Sequence, residues 1–254
     1  YEGNGPVRVG NAAVEQVQGD IYGELVLALV PLFLDERFQH EQTNDTLDLL
    51  IRLTRRAIAT AGVPDAGLWE VRRALATAQT FGTIMSWAAA DRMIEIARRR
   101  APELLDEFSR AADRLQGEVI QEAWNPSIGA LTANYRGTEL DAAVLQAITL
   151  RLIPRGDPRG DATVNAIVRE LGDHGWLYRY RSEDGLGRPS NAFVICSFWL
   201  VEALAALGRV DDAREVMERV RSAIPPLGLI SEDFDPSTRR FWGNFPQAYS
   251  HVGM

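Results

Sequence analysis

The chain of 254 residues has 46% hydrophobic and 24% charged side chains, which is the composition of a globular protein with a sizeable core. Its 27 basic and 35 acidic residues give a net charge of -8, and no run of like charge suggests a surface that binds a polyanion. Nucleic acid is therefore not an expected partner. Nor does any apolar run reach the roughly 20 residues that a membrane span requires.

Cysteine and histidine are too few for a disulfide framework or an evident metal centre. Cys196 is the single cysteine and lies in an apolar run, which predicts a buried structural thiol and fits a reducing, cytoplasmic location. The three histidines, His40, His174 and His251, stand at no recognisable metal-ligand spacing. Nucleotide and flavin motifs are absent as well, so we expect chemistry without a metal or a cofactor.

Apolar residues recur at helical spacing along most of the chain and predict a mainly α-helical fold. We expect helices around residues 21–29 and 47–58 and over 83–99, 102–123, 139–152, 161–171, 191–207 and 211–224. The helix over 191–207 is apolar on most sides and the next one is highly charged, so one should be buried and its partner exposed. Such pairs are typical both of an α/α toroid and of a helical-repeat solenoid.

The connections between helices favour the toroid. Those over 61–79, 124–137, 176–190 and 227–250 are long and rich in glycine, proline, aromatic and acidic residues. Repeat arrays connect their helices with a few residues, whereas long ordered loops usually carry function. No low-complexity linker divides the chain, and residues 1–254 are expected to form one domain.

Tryptophan is concentrated in these loops, beside acids and amides. Four of the six tryptophans lie there, namely Trp69, Trp124, Trp176 and Trp242. Aromatic faces cover the C–H surfaces of a pyranose while polar side chains bond its hydroxyls, so the pattern fits a carbohydrate ligand. Packing at the ends of the helices explains any single tryptophan equally well.

Two carboxylates suffice to hydrolyse a glycosidic bond, one acting as acid and the other as base. Glu70 follows an indole among apolar neighbours, an environment that raises a carboxyl pKa and favours an acid. A surface ion pair with a neighbouring arginine is the simpler alternative for Glu70. The segment 229–236 brings together Glu232, Asp233 and Asp235, and one of these three acids is the base candidate. A turn before Pro236 explains Asp235 well and Glu232 less well.

Six ordered phrases carry a more specific resemblance. They are Arg8-Val9-Gly10-Asn11-Ala12-Ala13, Asp20-Ile21-Tyr22-Gly23-Glu24, Gly67-Leu68-Trp69-Glu70, Cys196-Ser197-Phe198-Trp199-Leu200, Leu229-Ile230-Ser231-Glu232 and Gly243-Asn244-Phe245-Pro246-Gln247-Ala248. The set resembles bacterial glycoside hydrolase family 15, the family of glucoamylases and trehalases, over nearly the whole chain. The resemblance implies an all-α, (α/α)6 toroid-type barrel that is only partial here. The family's N-terminal helices and β-sandwich would be absent, and both barrel edges would be open.

The resemblance also implies roles for single residues. Glu70 matches the family's general acid and Glu232 its general base, while Arg179, in Tyr178-Arg179-Tyr180, matches the place of an arginine that binds sugar hydroxyls. Trp69 and Trp124 are candidate subsite walls, although a structural role suits Trp124 equally well. The chain departs from the family pattern after the acid, where a glycine replaces an expected serine at position 82.

The activity expected from this resemblance is inverting, exo-acting hydrolysis of α-glucosidic bonds in oligo- or polysaccharides, as in a glucoamylase. Trehalase activity on α,α-trehalose is the alternative within the family, because the same carboxylates serve both reactions. A catalytically incompetent barrel fragment that binds glycan or a partner segment is a second alternative, and a helical-repeat interaction module is a third. Self-association or a missing N-terminal segment would cover the open edges of the barrel.

Overall fold

The computed structural model describes residues 10, 14, 16–70, 77–184 and 187–254. Its helices are α1 (Asp20–Leu29), α2 (Pro31–Leu34), α3 (Asn44–Thr60), α4 (Thr80–Arg100), α5 (Leu105–Ala123), α6 (Gln146–Thr149), α7 (Pro158–Leu171), α8 (Val194–Leu207), α9 (Val210–Ala223) and α10 (Ala248–Val252). Its strands are β1 (Trp124–Asn125), β2 (Ala130–Leu131), β3 (Gly172–Asp173), β4 (Trp176–Leu177), β5 (Ala192–Phe193), β6 (Asp233–Asp235) and β7 (Arg240–Trp242). The predominance of helix confirms the all-α prediction, and none of the described helices is long and apolar enough to cross a membrane.

Buried helices alternate with amphipathic ones. Helix α4 is buried over residues 83–90 and packs against α1, α3 and α5, while α3 and α5 each bury a single apolar stripe. Helix α1 approaches α4 closely at Gly23, where a Cβ atom would overlap the carbonyl of Met85. Helix α8 is apolar around its circumference and packs on the charged, amphipathic α9, as the sequence predicts.

The buried apolar side chains form two clusters. The smaller one joins α1, α3, α4 and α5 around Leu50, Met93 and Phe108. The larger one extends from α4 to α8 and includes Phe234 of strand β6. Cys196 is fully buried in this larger cluster and is unpaired, which confirms the prediction of a structural thiol.

The limits of two predicted helices differ from the structure because other local structure replaces part of the helix. The helix expected over 139–152 is a single turn of 3-10 helix (Ala142–Leu145) followed by the short α6. Residue Asp141 is extended there, and its side chain accepts the backbone N–H of Ala143 at 2.7 Å. The helix expected from residue 191 begins at Val194, because β5 pairs with β6 instead, with Phe193 opposite Asp233.

The small sheet β5-β6-β7 brings the later part of the chain to the start of α8. Strands β5 and β6 are antiparallel, and the pairing continues where the N–H of Val194 donates to the carbonyl of Glu232 at 2.9 Å. Strand β7 covers the other edge of β6. The backbone of Glu232 is therefore fixed beside the first residue of the buried helix α8.

Candidate active site

The acid loop, residues 65–70, is held by hydrogen bonds to the segment just before α1. Asp65 accepts the N–H of Gly67 at 3.1 Å and the N–H of Gly19 at 2.6 Å, so that one carboxylate joins the two segments. Gln16 donates its side-chain amide to the carbonyl of Glu70 at 3.3 Å. Gly67 has a φ of +64° and lies against Gln79 at the start of α4, which is a place where glycine is required.

Glu70 lies at the end of this loop with its side chain exposed and its backbone in the left-handed region, at a φ of +51°. The apolar surroundings that the sequence suggested for its carboxyl group are therefore not found among the described residues. Arg72 and Arg73, the partners of the alternative ion pair, lie outside the described residues. Among the described residues, no side-chain contact joins Glu70 to Trp69, Arg179 or Glu232.

Trp69 points inwards from the same loop. Its indole N–H donates to Asp141 Oδ2 at 2.7 Å, and its ring makes edge contacts with Tyr180 and Phe193, with centroids 6.3 and 5.3 Å away. Asp141 is buried, and burial raises its pKa to about 6, although the hydrogen bonds from Ala143 and Trp69 oppose the shift. A buried carboxylate thus fixes the residue that precedes the candidate acid.

Arg179 lies beside this tryptophan. The Arg179 guanidinium carbon is 5.8 Å from the Trp69 ring centroid and 5.4 Å from that of Phe193, and one terminal nitrogen is 3.4 Å from Asp184. The segment is placed by a backbone bond in which the N–H of Ala142 donates to the carbonyl of Arg179 at 2.8 Å. The Nε of Arg179 is buried and has no hydrogen-bond acceptor among the described residues.

Glu232 accepts four hydrogen bonds from the described residues. Its Oε1 accepts the hydroxyl of Tyr249 at 2.6 Å and the amide of Gln247 at 3.4 Å. Its Oε2 accepts the backbone N–H of Asn244 at 3.2 Å and the side-chain amide of the same residue at 3.1 Å. Both oxygens are thus held by the base-contacting segment, residues 244–249.

These bonds determine the charge state of Glu232. Burial by itself would raise the pKa of its carboxyl group, but the hydrogen bonds from Tyr249, Asn244 and Gln247 outweigh burial and lower that pKa below its usual value. The neighbouring Asp233 behaves in the opposite way, because burial and the charge of Glu232 raise its pKa to about 6. Adjacent carboxyl groups are therefore pushed towards different protonation states, with Glu232 ionised.

Phe193 connects Trp69 with Tyr249, which binds Glu232. Its ring contacts Trp69 on one side and lies 5.9 Å from the ring of Tyr249, the residue whose hydroxyl binds Glu232. Its backbone pairs with that of Asp233. The structure therefore brings Trp69, Arg179 and Glu232 into one region, although they are far apart in sequence.

Two hollows border this region. One, of about 220 Å³, is lined by Arg179, Asp184, Phe193 and Asp233 among others. The other is narrower and lies beside Trp69, Asp141 and Tyr180. Their lining combines aromatic faces with carboxyl and guanidinium groups, which suits a sugar with many hydroxyls.

Trp124 does not belong to this group of residues. It begins β1, pairs with Leu131, and is half-buried against the larger core. Among the described residues, no contact joins Trp124 to Trp69, Arg179 or Glu232. Packing against the core is sufficient to explain its position. Among those same residues no group of three or more His, Cys, Asp or Glu side chains is arranged to hold a metal ion.

Several residues that shape the site were missed by sequence reasoning. Asp65, Asp141 and Tyr249 each donate or accept a hydrogen bond that fixes the 65–70 loop or Glu232. Asp65 could have been found, because an Asp two residues before a Gly is typical of a side-chain turn. Nothing in the local sequence indicates that Asp141 meets Trp69, since 72 residues separate them.

The chain matches the family model described as "Glycosyl hydrolases family 15" over residues 1–254. It belongs to that family. A trehalase of Mycolicibacterium smegmatis is 38% identical over 265 residues, and a trehalase of Thermoplasma volcanium is 33% identical over 258. Both alignments cover 100% of this chain but only 38% and 40% of those proteins. The chain thus spans about two fifths of the length of the trehalases that it matches.

Solved structures agree on the fold. A structure described as "Glycosidase Wild Type" superposes with a TM-score of 0.77 at 18% identity, covering 93% of this chain and 65% of that one. The glucoamylase from Saccharomycopsis fibuligera superposes with a TM-score of 0.72 at 11% identity, covering 93% and 68%. These likenesses confirm the predicted partial barrel of paired helices as the fold of this glycoside hydrolase chain.

Proposed function

We propose that this chain supplies the acid and the base for inverting hydrolysis of α,α-trehalose to two molecules of glucose. The observation that carries the proposal is the Glu232 carboxylate, held by four hydrogen bonds that keep it ionised. An ionised, oriented carboxylate is what a general base for water requires. The similarity to trehalases supports trehalose over the glucan that the sequence suggested first.

In the proposed reaction the Glu70 carboxyl group donates its proton to the glycosidic oxygen as the C1–O bond breaks. Glu232 takes a proton from water, and the water oxygen bonds to C1 from the opposite face. Arg179 binds a sugar hydroxyl through its guanidinium group, and Trp69 forms a wall of the same subsite. Exposure of Glu70 in the free protein is compatible with this role, because bound sugar would cover the carboxyl group.

The anomers of the products test this mechanism. Inversion at one of the two anomeric carbons yields one β-glucose and one α-glucose from each trehalose, and both can be followed by ¹H NMR before mutarotation. Maltotriose is the substrate for glucoamylase-like cleavage, which would release β-glucose from the non-reducing end. Turnover of maltotriose in preference to trehalose would replace our substrate assignment, and α-glucose as the sole product would exclude inversion.

The roles of the two carboxylates are separable with a fluoride leaving group. Glu70→Gln should lose trehalose hydrolysis but keep activity on α-glucosyl fluoride, because fluoride leaves without protonation. Glu232→Gln should lose both activities, since water still needs a base. Glu36→Gln, which changes an exposed glutamate outside the site, is the matched control and should behave as the wild type. Loss of fluoride hydrolysis in Glu70→Gln would contradict the assignment of Glu70 as acid.

A further inference from the structure

The base-contacting segment depends on a residue that does not touch Glu232. His251, in α10, accepts the backbone N–H of Ile230 at its Nε2, at 3.2 Å. Its Nδ1 lies 2.7 Å from the carbonyl oxygen of Gln247. One imidazole therefore connects the residue two positions before the base with a residue that donates a hydrogen bond to the base.

The two bonds fix the tautomer of the ring. An imidazole nitrogen that accepts a hydrogen bond carries no proton, so Nε2 is unprotonated and the proton must be on Nδ1, which donates to Gln247. Neither a ring with the proton on Nε2 nor a doubly protonated ring could accept the N–H of Ile230. This pattern is satisfied only by the neutral Nδ1–H form.

The backbone strengthens the same connection. The N–H of Gln247 donates to the carbonyl of Ile230 at 3.0 Å, and the N–H of Glu232 donates to the carbonyl of Asn244 at 3.0 Å. His251 adds the two bonds that hold this pairing from the side of α10, the five-residue helix that also carries Tyr249. A helix this short has little stability of its own, so its side-chain contacts decide where the Tyr249 hydroxyl lies.

We propose that His251 is a positioning residue for the catalytic base: as a neutral imidazole protonated on Nδ1, it holds Gln247 and Tyr249 in place to orient the Glu232 carboxylate. It touches neither the substrate nor the reacting atoms and acts only through that segment. The inference rests on the proposed role of Glu232. The titratable groups that face the segment are Glu232 itself, Asp233, Tyr249 and the buried thiol of Cys196.

The first test is spectroscopic and requires no turnover. In protein labelled with ¹⁵N at histidine, the His251 resonances are assigned by their disappearance in His251→Gln, and at neutral pH they should show a protonated Nδ1 and an unprotonated Nε2. The chain has only three histidines, which keeps the spectrum simple. A proton on Nε2 would overturn the proposal.

The second test compares variants by the pH dependence of kcat/KM for trehalose. His251→Ala should lower kcat roughly 10-fold to 100-fold with a smaller change in KM, because a misplaced carboxylate loses transition-state geometry. The acidic limb of the kcat/KM profile of this variant should also move to higher pH, since the hydrogen bonds that keep Glu232 ionised are weakened. Partial unfolding alone would scale the whole profile and leave the limb in place.

His251→Gln is the conservative variant, because its side-chain oxygen can accept the N–H of Ile230 as Nε2 does. It should recover most of the lost kcat and return the acidic limb, and His40→Ala, at an exposed histidine, is the control for loss of an imidazole. If His251→Gln and His251→Ala lost the same amount of kcat and the acidic limb of the pH profile did not move, the positioning role would be refuted and His251 would be only structural. A wild-type protein that hydrolyses neither trehalose nor maltotriose would refute the proposed function, while the tautomer result would still decide the hydrogen-bond arrangement.

Discussion

Gly243 offers a direct test of how closely Glu232, the proposed base, is packed. Its φ is +77°, and a Cβ atom there would lie 2.8 Å from Glu232 Oε2 and 2.9 Å from Glu232 Cβ. Both distances are shorter than real contacts of a Cβ atom, so in Gly243→Ala the Glu232 side chain must move. The displaced carboxylate would leave the hydrogen bonds from Asn244 and Tyr249 that keep it ionised.

Gly129 provides the matched control. Its φ of +71° is nearly the same, but a Cβ atom at that position meets nothing within 4 Å. An alanine in the left-handed region costs about 1–2 kcal/mol of stability wherever it occurs. Gly243→Ala and Gly129→Ala should therefore lose a similar backbone contribution to the free energy of unfolding, and any extra loss at Gly243 reports the overlap with Glu232.

The two variants should separate clearly in kinetics. We expect kcat on trehalose to fall roughly 10-fold to 100-fold in Gly243→Ala and to stay near wild type in Gly129→Ala, since a displacement of about 1 Å is enough for such a loss. Steady-state kinetics and thermal unfolding on the same samples provide the comparison. If kcat were the same in both variants, the close approach of Gly243 would have no part in placing the base, and the reasoning from the Cβ distances would fail.

Three further outcomes are expected. Tyr249→Phe removes the shortest bond to Glu232, so the acidic limb of the pH profile should move up by as much as about one unit; an unmoved limb would separate that limb from Glu232. Burial raises the pKa of Asp20 from 3.8 to about 6, so the folded state binds that proton more tightly and the free energy of unfolding falls as pH rises through this window. Denaturation across pH should show this fall flattened in Asp20→Asn, and the variant more stable at neutral pH by about 1–3 kcal/mol. Gly82→Ser should raise the melting temperature, because its Cβ would lie 3.9 Å from Asp65 Oδ2 without a clash and glycine in a helix costs about 0.5–1 kcal/mol; a lower melting temperature would contradict this.

Helices were predictable where the apolar period is long and the caps are local. Helix α4 and helix α5 were expected within a few residues of their observed limits. The end of α8 at Gly208 follows from a left-handed glycine, with a φ of +87°. The segment 139–152 was not predictable, because its apolar residues are buried from several directions and match a helical period without forming one long helix.

The sequence offers candidate residues for the site but does not indicate their environments. The ordered motifs predict Glu70 and Glu232 as catalytic residues, and the pattern Tyr178-Arg179-Tyr180 predicts Arg179 as a binding residue; these three assignments stay predictions. The apolar setting expected for Glu70 came from its sequence neighbours, whereas the loop turns at a left-handed backbone and exposes the side chain. In an irregular loop, the residues adjacent to Glu70 in sequence need not surround its side chain in space.

The sequence by itself determined the helical class of this chain, its family and the residue types available for glycoside hydrolysis, because periodicity and ordered motifs are local properties of the chain. Only the tertiary structure decided which partners those residues have. Trp69 meets Asp141 72 residues away, and Glu232 receives its hydrogen bonds from residues 12 to 17 positions later. The charge of a carboxyl group depends on burial and on the donors within hydrogen-bond distance, and chain folding alone brings those donors to Glu232.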